Sequence, residues 1–194
     1  MSKNIKTLSL LNRLAIAILV TTFSLSTNAN TITLKNEQQL NKQGAAQTLT
    51  LFHQAAANAN LAQYFNLLTE NAIYLGTDAN ERWTKTTFKE YVEPLFKQGH
   101  GWLYSKIARN IILSEDGQSA FFDELLSNKN YGLCRSTGLL LKTPQGWKIA
   151  QYSLSVPLPN AIAKNIIKQI QEHTTPKSSQ FKTATLLPRK TVKQ

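Results

Sequence analysis

A single cysteine, Cys134, rules out an internal disulfide, so the fold stands on its hydrophobic core alone. A lone thiol inside a strand-like run reads as packing. Gly-rich phosphate loops, paired cysteines and an HExxH helix are absent, which leaves nucleotide and zinc chemistry unsupported and no cofactor expected. No serine sits in a nucleophile-elbow context. Acids are scarce as well, with 11 Asp and Glu against 22 Lys and Arg. That excess sits at the ends. Residues 1–29 hold Lys3, Lys6 and Arg13 and no acid, and residues 161–194 hold seven basic groups against Glu172 alone. Residues 30–160 balance 12 basic against 10 acidic groups, so no folded face carries a nucleic-acid signature and no nucleic-acid partner is expected. Long apolar runs are missing too. The run from Leu14 to Leu25 falls short of the roughly 20 residues of a membrane span. With basic residues ahead of it and Thr27-Asn28-Ala29 behind, it reads as an export signal cleaved near Ala29. The expectation is a periplasmic or secreted protein with no stable membrane insertion after cleavage.

What is present reads as one domain. Residues 30–44 form a polar leader. "AAQTLTLFHQAAANAN" then sets Leu49, Phe52, His53, Ala56 and Ala57 on one helical stripe. "NLAQYFNLLTEN" spaces Leu61, Tyr64, Phe65 and Leu68 by 3, 4 and 7, with Asn60 as N-cap. A short strand, "AIYLG", precedes the loop "TDANERW". A third helix starts at a Thr cap and carries Phe88, Tyr91, Val92, Leu95 and Phe96, with Pro94 predicting a kink or early end. Four strands are predicted at Trp102–Leu113, Ser119–Asn128, Tyr131–Lys142 and Trp147–Val156, joined by hairpin-length turns. A helix from "PLPNAIAKNIIKQIQEH" closes the domain at residue 173, and residues 174–194 read as a basic disordered tail. Helices segregated before an antiparallel meander predict an α+β fold, with helices covering one face of a curved sheet and a cavity between the layers.

The segments "YLGTDANERWT", "GWLYSKIARNIILSEDGQSAFFDELL", "YGLCRSTGLLLK" and "GWKIAQYSLSVPLPN" resemble the SnoaL-like branch of the nuclear transport factor 2-like superfamily, over roughly residues 45–170. The resemblance implies a cone of three N-terminal helices packed on a strongly bent antiparallel sheet, a cystatin-like roll with an internal cavity. It also implies a homodimer joined through the outer sheet face. Family members include cyclases, isomerases and dehydratases as well as proteins that only bind ligands. The His–Asp dehydratase pattern and the Tyr–Asp–Asp isomerase set do not occur here as linear motifs, so neither activity carries across. The expected function is binding of a small, partly apolar organic ligand. The alternative is an acid–base enzyme of isomerase, cyclase or dehydratase type working in the same cavity.

Candidate residues follow from placement. His53, on the apolar stripe of the first helix, is either a bonded core histidine or a general base. Asp78 either caps the loop or lines the cavity mouth. Arg82 is expected to pair with Asp78 or Glu81, and a metal held by Asp78, Glu81 and His53 is conceivable. In "FFDELL", Asp123 and Glu124 are adjacent, so one must face inward and needs a partner such as Arg109 or Arg135. In the catalytic reading, His53, Asp78 and Asp123 move the proton, the carboxylate having a raised pKa. The resemblance favours Asp123 as the inward acid. Trp102 and Tyr104 share a face, with Arg109 on the other unless a bulge intervenes. Tyr64, Tyr74, Trp83 and Phe122 supply aromatic walls, and Glu124, Arg135, Thr137 and Gln151 supply polar contacts on the strands.

Overall fold

The computed structural model describes residues 35–174. Residues 1–29, read above as an export signal, residues 30–34 of the polar leader and residues 175–194 of the basic tail lie outside them. The chain divides into two compact units. One runs to Val156 and holds every strand. The other, from Pro157, contains helix α4 (Asn160–Thr174).

The first helix, α1, spans residues 35–57 and so starts ten residues ahead of Ala45. Residues 35–40 are exposed throughout, so this turn and a half carries no apolar stripe that would have marked it as helix. From Ala45 on, Thr48, Leu49, Phe52, Ala55 and Ala56 are buried, a spacing that keeps one face inward. Helix α2 (Leu61–Asn66) is a turn and a half, with the Asn60 side chain accepting from the Gln63 N–H at 3.1 Å. It stops early because Leu68 opens strand β1 (Leu68–Leu75) rather than extending the helical stripe. The expected loop "TDANERW" is the turn of a hairpin into β2 (Arg82–Thr84). Helix α3 (Lys85–Lys97) begins in a capping box between Thr84 and Thr87. It passes through Pro94 and ends three residues later.

Strands β3 (Ser105–Leu113), β4 (Ser119–Asn128), β5 (Gly132–Thr143) and β6 (Gly146–Ser155) form the expected meander. The six strands make one curled, open sheet in the order β2-β1-β6-β5-β4-β3. Every pair is antiparallel except β1–β6, which runs parallel. That pair is parallel because its connection is long, running through β2, α3 and the meander rather than a hairpin.

The concave side is filled mainly by aromatic rings. Phe52 stacks on Tyr64 at 4.2 Å between centroids, and Tyr152 lies 5.1 Å from Phe52 and 6.0 Å from Phe122. Opposite Phe122 in the register stands Gly138, where a Cβ would run into the Phe122 ring and the Gln151 carbonyl. Gly138 thus yields its side-chain space to Phe122. The deep interior is a packed core, and two clefts open toward its rim.

Candidate functional site

Polar chemistry inside the fold centres on Glu124, which has no exposed surface. Its cross-strand partners in the register are Arg109 on β3 and Ser136 on β5, and both donate to it. Arg109 Nε lies 2.6 Å from Oε1, and Ser136 Oγ lies 2.8 Å from Oε2. From α1 above, His53 Nε2 meets Oε2 at 2.9 Å. Against an ionised carboxylate, that nitrogen is the one bearing the proton. Arg109 Nη1 continues to the Ala46 carbonyl at 2.6 Å and the Thr50 hydroxyl at 2.9 Å, binding sheet to helix.

Burial, the largest single influence on Glu124, pushes its pKa up. The His53 hydrogen bond, the charges of His53 and Arg109, and the Ser136 bond together outweigh it. The carboxyl sits below the usual range and stays ionised. The inward acid is therefore Glu124, held as a carboxylate, rather than Asp123 with a raised pKa. Asp123 is exposed on the outer face and accepts from Asn110 Nδ2 at 2.9 Å.

A bulge explains how Arg109 reaches this site. The β3–β4 register slips between Lys106 and Ala108, so Ile107 is an extra residue and the alternation reverses beyond it. Tyr104 and Arg109, of opposite parity in sequence, consequently line one cleft. This cleft, of about 220 Å³, is walled by His53, Gln54, Leu103, Tyr104, Lys106 and Arg109, among others.

A second cleft of about 230 Å³ shares Tyr104 and is richer in rings. Its walls include Tyr74, Trp83, Tyr91, Trp102 and Tyr131. Tyr74 stacks on Phe88 at 4.0 Å and Trp83 on Tyr91 at 5.1 Å. These stacks fix the rings as flat walls. Burial pushes the Tyr74 hydroxyl pKa far up and that of Tyr104 to about 12, so both remain neutral hydrogen-bonding groups.

The predicted residues fall into distinct places. Tyr74, Trp83, Trp102 and Tyr104 line the aromatic cleft, and His53, Tyr104 and Arg109 the smaller one. Tyr64 and Phe122 belong to the filled core. Arg135, Thr137 and Gln151 are exposed on the outer sheet face with Asp123, because on β5 it is Cys134 and Ser136 that point inward. Asp78 caps a turn, its Oδ1 accepting the Asn80 N–H at 2.8 Å, and is exposed. Arg82 is exposed and pairs with neither Asp78 nor Glu81. Among the described residues no three His, Cys, Asp or Glu side chains converge as metal ligands. Sequence reasoning did not include Ser136, Tyr91, Tyr131 or Leu154 in the site. Ser136 was recoverable from strand register, as the residue opposite Glu124.

A search of curated proteins finds no match to the sequence. Solved structures share the fold. A nuclear transport factor 2-like protein with a cystatin-like fold from Novosphingobium aromaticivorans aligns with a TM-score of 0.53 at 10% identity, over 70% of this chain and 94% of its own. A candidate scytalone dehydratase from the same organism gives 0.54 at 11% identity, over 63% and 89%. A nuclear transport factor 2-like protein of unknown function from Pseudomonas putida gives 0.50 at 10%, over 59% and 85%. Identities this low speak to fold and not to activity. The model of the SnoaL-like domain matches residues 45–159, which takes in α1 from Ala45 on, α2, α3 and the whole sheet of the first unit. The chain belongs to the SnoaL-like family, on the nuclear transport factor 2-like fold.

Proposed function

We propose that this is an exported small-molecule-binding protein whose ligand sits in the aromatic cleft of about 230 Å³. The observation that carries the reading is the contrast between a filled interior and an open, ring-walled rim. Where the core needed rings it packed them tightly, whereas Tyr74, Trp83, Trp102 and Tyr104 stay half-buried around empty space. Pockets for small organic molecules combine such apolar walls with a few polar groups. The test uses protein recovered from the exported fraction, with its N-terminus read by sequencing and expected near Asn30. N-phenyl-1-naphthylamine, a neutral flat probe, is expected to bind it saturably, and Trp83→Leu should weaken binding several-fold. Unsaturable binding, or binding indifferent to Trp83→Leu, would sink the proposal.

The acid–base alternative retains His53 alone. Asp78 and Asp123 face solvent, and Glu124 is held ionised by its donors. A carboxyl ¹³C titration that put Glu124 above the ordinary range would restore it as a proton carrier. For a dimer, support comes from the outer sheet face, where Ile112 stands opposite Phe121 and Phe121 opposite Leu139. Ile112 and Phe121 are 60% and 51% exposed, an apolar row that a second copy would cover. Sedimentation should show a dimer that Phe121→Asp converts to monomer. A wild-type monomer at high concentration counts against it.

A further inference from the structure

The aromatic cleft has one charged lining residue, and it is an acid, Glu81. Residues 30–160, which build the cleft, are nearly balanced at 12 basic against 10 acidic groups, so this acidic lining reflects local placement and not an overall acidic excess. Glu81 closes the β1–β2 hairpin, where its backbone carbonyl accepts the Gly76 N–H at 2.9 Å. Gly76 leaves room for the carboxylate, since a Cβ there would collide with the Glu81 side chain. One carboxylate oxygen accepts the Asp78 N–H at 3.1 Å. Among the described residues no Lys, Arg or His forms an ion pair with it. Its charge reaches into the cleft, where it adds to the upward push that burial exerts on the Tyr74 and Tyr104 hydroxyls.

Three ligand classes meet these walls differently. An anion would face both the carboxylate and the negative faces of the rings. A neutral ring would stack well but strip water from Glu81 without replacing it. A cation with little hydration of its own gains from the ring faces of Trp and Tyr and supplies the missing counter-charge. We infer that the cleft selects an organic cation, a quaternary or methylated ammonium held against Trp83, Trp102 and the surrounding tyrosines, with Glu81 as its counter-ion. This rests on the reading that the cleft binds small molecules.

The experiment compares choline with its neutral isostere 3,3-dimethylbutan-1-ol by calorimetric titration of the full exported protein. Choline is expected to bind about tenfold tighter than the isostere. Glu81→Gln should remove most of that preference by weakening choline, while the isostere and N-phenyl-1-naphthylamine bind no more weakly than to wild type, since the carboxylate they desolvate is gone. Retained naphthylamine binding also shows that the variant is folded. If Glu81→Gln does not fold, the wild-type preference for choline decides alone. Equal binding of choline and isostere, binding of neither, or a choline preference that survives Glu81→Gln overturns the inference. Naphthylamine binding that persists in those cases leaves the small-molecule site standing, and its loss takes the underlying reading down as well.

Discussion

Replacing Arg109 with methionine is expected to remove about 3–5 kcal/mol of folding stability, because breaking a buried pair strands the remaining charge. Glu124 would keep Ser136 and His53 as donors but lose its 2.6 Å guanidinium partner. The links from Arg109 to Ala46 and Thr50 would go with it, loosening α1 from the sheet. Adding Glu124→Leu to Arg109→Met should recover much of the loss, since an apolar pair needs no donors. Urea unfolding followed by circular dichroism measures both. A loss below about 1 kcal/mol for Arg109→Met, in the range of exposed pairs, would contradict the buried-pair account. The pH dependence has a definite sign. Glu124 has a lower pKa folded than unfolded, so the unfolded chain binds more protons as pH falls. Its contribution is fully present above the unfolded carboxyl value and fades from about pH 5 downward as the pH falls through the folded value. The stability gap between wild type and Glu124→Gln should therefore narrow in acid.

Tyr64→Ala is the second large loss, expected at about 3–5 kcal/mol by analogy with buried aromatic truncations. Tyr64 is fully buried. Its ring stacks on Phe52 and meets Phe65, Phe96 and Trp102 within 6 Å, so the vacated volume opens at the centre of the core. Tyr64→Phe should behave in the opposite way. The hydroxyl is buried without a well-formed hydrogen bond, and its favourable approach to the Trp102 side chain does not reach that geometry. Removing it relieves a desolvated donor and should leave stability unchanged or raise it by about 1 kcal/mol. Thermal unfolding of the two variants side by side checks this. A Tyr64→Phe variant as damaged as Tyr64→Ala would mean that the hydroxyl has a partner essential to the core.

The architecture was legible because period and turn chemistry act locally. Alternating runs between "EDGQ", "NKN" and "TPQG" located β3 to β6 to within about three residues, and Thr84 marked the start of α3. The misses have physical causes. Leu68 satisfies a helical stripe and a strand equally well, and tertiary pairing with Ile149 makes it strand. The ten-residue extension of α1 is exposed and polar along most of its length, so no hydrophobic period announces it. For the site, the need of an inward acid for a partner was readable from "FFDELL" alone. Which acid it was follows from the alternation of β4, where Ala120, Phe122, Glu124 and Leu126 are buried. Arg109 as its partner depended on one extra residue, Ile107, in a β3 bulge that leaves no mark in composition. The aromatic cleft lies beyond any linear motif, since it joins Tyr74 and Trp83 of one hairpin to Trp102, Tyr104 and Tyr131 at the far end of the meander.

The protein carries an internal control for its ligand site in its three tryptophans. Trp83 and Trp102 line the aromatic cleft. Trp147 is 8% exposed and lies against Gly44 of α1, outside both clefts. In a ¹H–¹⁵N spectrum each indole N–H gives a separate signal, so titration with N-phenyl-1-naphthylamine reads the site directly. Binding in the aromatic cleft predicts saturable shifts of the Trp83 and Trp102 signals and a stationary Trp147. Saturable binding that moves neither Trp83 nor Trp102 would contradict the central claim.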